Sequence, residues 1–381
     1  MADIVFFTSI LLIVYTYIGY PLVMVILALI LRRGVDLGDM EPSVTVIIPV
    51  HNEEHQIRAK LENCLSFAYP RDKLEIVVAS DASTDRTEEI VKELDSGQIK
   101  FVDLPFRGGK VVAQNHAVRE CQSDIIIFTD VAITTRPDCV QLIVQNFNDP
   151  QIGVVSCRDV IIGGDGRQRG EKSYILYDMM VRKYASQVGS IIGVTGGFYA
   201  VRREIARGGW NPAFPPDFYV AIRCIKRGLR VVEDPRVKAY YRAAAKEWDE
   251  LQRKVRTISR GMQALFAESN RSLLNPFKYG IVSLELISHK LFRWMTPFFL
   301  IALFLSNMLI VRESAVALVT FLPQLALSIL APLSFVVPDH TRKSLIFKLA
   351  NYFAIAMIAI LKSWGEVLLG RQYVMWQPTK R

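Results

Sequence analysis

The sequence predicts an α/β domain with a largely parallel sheet, placed between membrane-spanning helices. Between Ser43 and Asp130, short apolar runs rich in β-branched residues alternate with helical segments, which is the pattern of a parallel sheet wound with helices. An uncharged run from Ile4 to Leu31 precedes this region, and further uncharged runs follow it. Hydrophobic residues make up 51% of the 381-residue chain, which favours membrane segments beside a soluble domain.

The charge and the cysteines narrow the class of protein. A formal net charge of +9 suits an anionic membrane surface or anionic substrates. Nucleic acid is not an expected partner, because the sequence has no basic run interleaved with aromatic residues and no zinc-finger spacing. The five cysteines are odd in number and lack CxxC spacing, so we expect reduced, buried thiols of a cytosolic domain.

Residues 1–33 are predicted to form an N-terminal transmembrane helix. The uncharged run exceeds the roughly 20 residues that a helix needs to cross a bilayer. Arg32 and Arg33 follow it directly, and the positive-inside rule then places the N-terminus outside and the next domain in the cytosol. A cleaved signal peptide is disfavoured, because a basic n-region and a small-residue cleavage site are missing. We expect a multi-pass protein of the inner (plasma) membrane.

The cytosolic domain is predicted over residues 43–250. Asn52, Glu53 and Glu54 are expected to open a helix directly after the first strand, because acids are favourable in the first turn of a helix. The strands are predicted at residues 43–51, 74–80, 99–103, 125–130, 152–157, 198–202 and 229–232. The later helices are predicted at residues 88–94, 110–119, 171–188 and 217–227, with a glycine-rich loop at 163–170.

The C-terminal third is predicted to return to the membrane. Residues 251–293 are basic and amphipathic and suit interfacial helices, whereas residues 294–368 contain the membrane helices. In the last apolar stretch the uncharged core, 349–361, is shorter than a bilayer span, which leaves two interpretations. The stretch spans if Lys348 and Lys362 snorkel, and the tail (369–381) is then outside; otherwise the tail is cytosolic.

Polar side chains follow three predicted strands at their carboxyl ends, where open α/β sheets bind ligands. Glu53 follows the first strand, and Asp81 follows the second. Their carboxylates can accept hydrogen bonds from ribose hydroxyls or from a base edge. Asp130 ends the fourth of these strands and, facing a phosphate, would act through a divalent cation; the alternative is that it caps the following turn.

Two further candidates have ordinary structural alternatives. Lys110 follows a Gly-Gly turn and can pair with a diphosphate, but it can also be an exposed surface lysine. Asp217 follows two prolines at a helix start, where the commonest role of an aspartate is to cap the helix.

These residues belong to an ordered set of motifs covering roughly residues 43–381. The motifs lie at Val46–Glu53, Ser80–Asp85, Gly109–Lys110, Phe128–Asp130, Gly196–Arg202, Pro216–Phe218, Arg253–Thr257 and Leu274–Phe277. In this order they resemble a membrane-bound family 2 glycosyltransferase. Within that family the chain is most similar to cellulose, chitin, hyaluronan and poly-N-acetylglucosamine synthases.

The resemblance implies a GT-A fold, a Rossmann-like nucleotide-sugar-binding domain, with a donor that is most often a UDP-sugar held with Mg²⁺ or Mn²⁺. Asp217 matches the general base that takes the proton of an acceptor hydroxyl and so inverts the anomeric carbon. Asp130 matches the metal position. The donor-binding positions of the family correspond here to Pro49, His51, Glu53, Asp81, Lys110 and Asp130.

The same resemblance implies contacts to the acceptor or the diphosphate. These would come from Gly196, Gly197, Arg253, Arg256 and Trp376. Trp376 lies in the tail, which resembles the gating segment of some synthases and would need to be cytosolic for that role.

The chain departs from the family pattern in three places. The Asp-x-Asp metal motif reads Asp130-Val131-Ala132, and Pro216 stands where an acid precedes the base. Thr257 replaces the tryptophan of the Gln-x-x-Arg-Trp motif. Metal use and processivity therefore stay open.

The expected function is an inverting transfer of sugar from a nucleotide-sugar to a polysaccharide or lipid-linked acceptor at the membrane, with export or assembly subunits as possible partners. The alternative is a degenerate, non-catalytic subunit that scaffolds a polysaccharide-synthesis complex.

Overall fold

The computed structural model describes residues 1–94, 97–162, 169–242, 247–337 and 344–371. Its strands are β1 (Val44–Val50), β2 (Leu74–Ser80), β3 (Ile99–Asp103), β4 (Ile125–Thr129), β5 (Thr134–Thr135), β6 (Ile152–Ile161), β7 (Phe198–Arg202) and β8 (Arg230–Tyr241). Its longer helices are α1 (Ala2–Leu31), α2 (Ile57–Leu65), α3 (Thr87–Glu93), α4 (Lys110–Glu120), α5 (Cys139–Val144), α6 (Arg169–Val188), α7 (Pro216–Lys226), α8 (Glu247–Phe266), α9 (Ile281–Ile310), α10 (Ala315–Val336) and α11 (Leu345–Leu368). Single helical turns lie at Arg203–Ala206, Glu268–Arg271 and Pro276–Tyr279.

One eight-stranded mixed sheet organises the α/β domain, with the strand order β3-β2-β1-β4-β7-β6-β8-β5. Strand β1 runs parallel to both β2 and β4, and β2 runs parallel to β3, as the sequence predicts. Strand β7 then enters antiparallel to both of its neighbours, β4 and β6. The carboxyl ends of β1, β2 and β4 therefore lie along one edge, and the predicted α/β fold class with apolar helices is confirmed.

The sheet is buried on both faces by helices. β1 is buried along its whole length, which explains why its residues are almost continuously apolar rather than alternating. One apolar cluster joins the sheet to α4, α6, α7 and α8, and a second joins the other face to α2, α3 and α5. All five cysteines are free and buried, in agreement with the sequence-based expectation.

The helix after β1 and the paired strands β6 and β8 differ from their predicted boundaries. The helix after β1 begins at Ile57 rather than at Asn52, because Asn52 adopts a left-handed backbone (φ 54°) and its Oδ1 accepts a hydrogen bond from Thr84 N at 2.8 Å. Strand β8 continues to Tyr241 because it pairs with β6 as far as Ile161. Of the glycine-rich stretch at 163–170, residues 163–168 lie outside the described residues.

Four helices in the described part of the chain are long and apolar enough to cross a membrane: α1, α9, α10 and α11. The segment 281–293, expected as an interfacial helix, is continuous with 294–310 in α9. Its charged residues Glu285, His289 and Arg293 are buried in the protein. The mixed polarity of this segment therefore reflects contacts with α6, where Arg293 Nη1 donates to Asp178 Oδ1 at 3.1 Å, rather than a lipid surface.

Helix α11 lies alongside α8 and in the same direction. Ser363 Oγ donates to Val255 O at 3.2 Å, and two turns further on Gln263 Nε2 donates to Arg371 O at 2.6 Å. Trp364 Nε1 also donates to the carbonyl oxygen of Trp294 at 2.9 Å. The C-terminal end of α11 is therefore fastened to the helix that follows the α/β domain.

The packing around β6 yields a stability prediction. A Cβ added at Gly153 would lie 2.5 Å from Ile205 Cδ1 and 2.6 Å from Cys224 Sγ. We expect Gly153→Ala to lower the free energy of unfolding by about 1–3 kcal/mol through overpacking. Thermal unfolding of the detergent-purified protein measures this effect. Gly34→Ala is the control, since nothing lies within 4 Å of a Cβ there; equal midpoints for the two variants would contradict the prediction.

Candidate active site

The Asp81 carboxylate fastens the loop that leads into α4 to the end of β2. It is fully buried, and its Oδ1 accepts hydrogen bonds from Gly108 N at 2.7 Å and Gly109 N at 2.8 Å. The Asp81 carbonyl oxygen accepts a hydrogen bond from His51 Nδ1 at 2.8 Å. Gly109 has a φ of 91°, a backbone conformation that favours glycine. The ends of β1 and β2 and the start of α4 are thus held together.

Lys110 and Asp130 form an ion pair across the next part of the cleft. Lys110 is the first residue of α4, and its Nζ donates to Asp130 Oδ1 directly after β4. Asp130 N donates to Gly197 O at 3.1 Å, which brings the Gly196–Gly197 loop to the same place. The paired lysine is therefore not a freely exposed surface residue.

Glu53 is the acid of this cleft whose protonation is most altered. Its side chain is nearly buried, and its backbone N–H donates to Thr87 Oγ1 at 2.9 Å. Burial, together with the negative charges of Asp130 and Asp85, raises the pKa of Glu53 to about 7. Near neutral pH this carboxyl group can therefore donate a hydrogen bond as well as accept one.

Asp217 lies in the first turn of α7, beside the glycine loop. A Cβ at Gly196 would lie 3.3 Å from Asp217 Oδ2, so the carboxylate is directly next to this glycine. The helix begins at Pro216 after Pro215, and the Asp217 side chain does not cap it. Within the described ranges, no hydrogen bond or ion pair engages the Asp217 carboxylate, which leaves it available for a ligand.

Gly196 and Gly197 bring the two carboxylates to one place. Gly196 contacts Asp217, and Gly197 accepts the hydrogen bond of Asp130. Tyr199 of β7 lies near enough to feel both charges: burial and the charges of Asp217 and Asp130 raise the pKa of its hydroxyl. A side chain at Gly197 would also collide with Ile133, at 2.8 Å, so this position needs the small residue.

Comparison with known proteins identifies the domain that contains this cleft. Residues 45–210 match the family model of glycosyl transferase family 2. This region is a family 2 glycosyltransferase domain. The family 2 domain that the sequence motifs predict is thereby confirmed.

Two curated relatives belong to the same class. The chain is 31% identical over 205 residues to the probable glycosyltransferase YdaM of Bacillus subtilis (strain 168), an alignment covering 50% of this chain and 48% of that protein. It is 28% identical over 162 residues to a poly-beta-1,6-N-acetyl-D-glucosamine synthase of Staphylococcus aureus (strain COL), covering 42% and 37%. The matched regions thus span less than half the length of these relatives.

A solved structure shares the fold over nearly the whole chain. It is the mannosyltransferase PcManGT from Pyrobaculum calidifontis in complex with GDP-Man and Mn²⁺. The TM-score is 0.73 with 21% identity, covering 97% of this chain and 99% of that one. The glycosyltransferase domain therefore has the GT-A fold expected from the sequence.

Arg260 of α8 binds the loop that carries Asp217, a role that the sequence analysis missed. Its guanidinium donates to three successive carbonyl oxygens before α7: Nη2 to Pro212 at 3.0 Å and to Phe214 at 2.6 Å, and Nε to Ala213 at 3.3 Å. Burial lowers its pKa, and the charge of Asp217 opposes that change. Its spacing from Arg253 and Arg256 placed it on one helix face, but only the fold shows that it holds the Asp217 loop.

The other arginines of α8 have different surroundings. Arg253 forms a bidentate ion pair with Glu250 of its own helix: Nε donates to Oε2 at 2.8 Å and Nη2 donates to Oε1 at 2.7 Å. Arg256 has no hydrogen-bond partner in the described part of the chain, and burial and the charge of Arg253 lower its pKa.

Trp376 lies outside the described residues. Pro49 is buried in β1 beside Ala79 of β2.

A divalent cation could be held at Asp130 in this domain. In the described ranges no group of three or more histidine, cysteine, aspartate or glutamate residues has the arrangement of a metal site. The single Asp130 carboxylate suits an ion that takes most of its oxygen ligands from a bound phosphate and from water, as Mg²⁺ commonly does.

The raised pKa of Glu53 yields a prediction about stability. The pKa of Glu53 rises from 4.5 to about 7 on folding, so between these pH values the folded protein keeps a proton that the unfolded chain releases. Protonated Glu53 contributes to the free energy of unfolding in full below pH 4.5, and this contribution is lost as the pH rises through 7. Glu53→Gln should therefore gain stability relative to the parent between pH 5 and pH 8, by on the order of 1–3 kcal/mol.

Thermal unfolding of both proteins without donor, at several pH values, measures this gain. The exposed Glu62→Gln on α2 is the matched control and should follow the parent at each pH. A difference between Glu53→Gln and the parent that stays constant with pH would refute the prediction.

Proposed function

We propose that this chain is an inverting glycosyltransferase that moves a sugar from a nucleotide-sugar to a glycan or lipid-linked acceptor at the membrane. The observation that carries the proposal is the half-buried, unengaged Asp217 carboxylate beside Gly196, at the edge of the cleft where β1, β2 and β4 end. Its position next to the Lys110–Asp130 pair places the proposed base for the acceptor, Asp217, close to Lys110, whose positive charge can bind a phosphate. The family 2 domain supports the same activity.

The donor would bind along the strand ends. Pro49, His51 and Glu53 would line the nucleoside side, with Asp81 acting through the Gly108–Gly109 loop that its carboxylate holds. Lys110 would face the diphosphate. We propose a UDP-sugar as the donor; a relative named for poly-N-acetyl-D-glucosamine synthesis supports an N-acetylhexosamine donor, whereas the mannosyltransferase of similar fold was solved with GDP-Man.

In the reaction, Asp217 would accept the proton of the acceptor hydroxyl as that oxygen attacks the anomeric carbon from the face opposite the diphosphate. The bond from the anomeric carbon to the diphosphate breaks as the new glycosidic bond forms, so the configuration inverts. Lys110 balances charge on the departing diphosphate. Asp130 would hold Mg²⁺ or Mn²⁺, which would supply further neutralisation of that charge when bound.

The scaffold alternative rests on the acids that the chain lacks at two sites, one of them at Pro216 before the base. The second acid of the metal motif is replaced at Ala132, and Val131 between the two positions is buried in the core. A chain that binds donor without turning it over would have this feature. The Lys110–Asp130 ion pair and the unengaged Asp217 carboxylate beside Gly196 favour the enzyme.

The helix packing supports a specific membrane topology. Helix α1 would cross with its N-terminus outside, and α9 and α10 would cross out and back. Helix α11 packs side by side with α8, which is too rich in basic residues to enter the bilayer, so α11 would lie at the cytosolic surface of the plasma membrane. The tail (369–381) would then be cytosolic, on the side that a gating role of Trp376 requires.

Donor turnover tests the transferase proposal. Detergent-purified protein with a panel of UDP-sugars, membrane extract as acceptor, and Mg²⁺ or Mn²⁺ should release nucleoside diphosphate. Asp217→Asn should lower turnover by about 10²–10⁴-fold with donor binding retained, because the proton acceptor is lost. The exposed Asp72→Asn should match the parent. Donor binding without turnover in the parent would favour the scaffold.

Cysteine labelling tests the topology. The native cysteines are buried, so a membrane-impermeant maleimide in intact cells should report introduced cysteines. Arg312→Cys, between α9 and α10, should be labelled, whereas Leu369→Cys, at 68% exposure, should be labelled only after the membrane is opened. Labelling of Leu369→Cys in intact cells would mean that α11 crosses the membrane.

A further inference from the structure

A cavity of about 950 Å³ lies where the glycosyltransferase domain meets the apolar helices. It is at the upper end of the roughly 300–1,000 Å³ range of small-molecule pockets. Helices α1, α6, α8, α9, α10 and α11 all contribute to its wall. Most of the lining is apolar and includes Ile13, Leu300, Leu327, Leu330, Leu349 and Phe353.

The charged part of the lining lies on the side nearest the domain. It consists of Asp178, Arg253, Lys254, Lys290 and Arg293, with the imidazole of His289 beside them. Along α9 the wall changes from Arg293 to Leu300 over about 10 Å, given the rise of a helix per residue. The cavity is therefore amphipathic, with a charged end towards the domain and an apolar end among the membrane helices.

Arg293 is a buried cation with unused hydrogen-bond donors. It is 8% exposed, and its Nη1 donates to Tyr174 OH at 3.0 Å and to Asp178 Oδ1 at 3.1 Å. Its Nε and Nη2 are buried and have no partner among the described residues. Buried donors are normally satisfied, and the guanidinium fork matches the oxygens of a phosphate. These two nitrogens indicate an anionic ligand.

The charges at this end leave an excess of positive charge. Asp178 serves both Arg293 and His289, with His289 Nε2 at 3.3 Å. Glu250 pairs with Arg253 and Lys254 from α8. In the described part of the chain, Lys290 has no ion-pair partner and lies over the ring of Phe218, 5.6 Å from its centroid. An anionic head group would balance Lys290 and the free side of Arg293.

The charged end adjoins the candidate base. Phe218, which Lys290 covers, is the residue after Asp217 on α7. Arg253 and Thr257 line the cavity from α8, and one turn further on the same helix Arg260 holds the loop before Asp217. A ligand held at this end by its anion would thus have its polar side towards Asp217.

We propose that the cavity binds the lipid-phosphate part of a lipid-linked acceptor, with its hydrocarbon chain among α9, α10 and α11, its phosphate at Arg293 and Lys290, and a hydroxyl of the sugar carried on that phosphate towards Asp217. This inference rests on the proposed transferase function and specifies the acceptor class of the same site. An apolar wall disfavours a bare glycan chain, whose hydroxyls would lose hydrogen bonds there. The charge complementarity and the apolar depth together select an amphipathic anion.

Direct binding to the full chain in detergent, without nucleotide-sugar, tests the inference. The probes are a long-chain polyprenyl phosphate, the corresponding polyprenol and a phosphatidic acid. The polyprenyl phosphate should bind at least about tenfold more tightly than the polyprenol, as expected for a charge-assisted hydrogen bond. Equal binding of the alcohol, or equal binding of the phosphatidic acid, would overturn the proposal; the latter would mark an ordinary phospholipid site.

Two pairs of variants locate the ligand. Leu330→Trp fills the apolar end and should weaken phosphate-probe binding by about tenfold. Ile329→Trp is the matched control on the outer face of α10, at 51% exposure, and should stay within about twofold. Arg293→Gln should remove the preference for the phosphate over the alcohol. Lys290→Met should reduce this preference, and it serves as the test if Arg293→Gln does not fold. Unchanged binding in Leu330→Trp would overturn the proposal.

The two hypotheses fail separately. Because the binding assay omits the donor, loss of the proposed transferase function would appear as absent turnover with lipid-phosphate binding intact. Failure of the cavity assignment would appear as donor turnover in the parent that Leu330→Trp leaves unchanged.

Discussion

The buried ionic contacts of α6 fix the glycosyltransferase domain against the membrane helices. On one side Arg182 Nε donates to Glu233 Oε2 of β8 at 3.0 Å; one turn earlier on α6, Asp178 engages Arg293 and His289 of α9. Although burial opposes it, the hydrogen bond from His289 and the positive charges nearby hold the pKa of Asp178 well below its usual range. Buried charges are tolerated only when paired, so the sheet and α9 cannot shift independently without exposing an unpaired group.

The same helix is connected to the candidate site by direct hydrogen bonds. Arg182 Nη2 donates to Ser156 Oγ at 2.8 Å, and Ser156 Oγ also accepts from Thr195 N at 2.8 Å. Thr195 precedes Gly196, against which the Asp217 carboxylate lies. The position of the membrane helices and the position of the proposed base are thus set by one continuous set of contacts, which keeps the mouth of the cavity next to the base.

The sequence predicts the parallel half of the sheet because its strands are continuous apolar runs, and it predicts the strand-end acids because such ends converge. It fails where a contact distant in sequence decides the conformation. The turn at Asn52 depends on Thr84, and the long β8 depends on β6. The charges of 281–293 have the periodicity of a surface helix. Only the fold reveals that Arg293 of this segment pairs with Asp178 inside the protein. Arg260 likewise shows its role only through the carbonyl groups it contacts.

The altered metal motif fits the electrostatics of the cleft. Asp130 is a single carboxylate, and Lys110 neutralises it when no donor is present. Glu53, with a pKa of about 7, carries only part of its negative charge near neutral pH. A second acid at Ala132 would add repulsion against a diphosphate unless a cation were always bound. At the Asp130 position the cleft therefore has a lysine-paired carboxylate next to a partly protonated glutamate, which leaves little local negative charge to oppose an anionic donor.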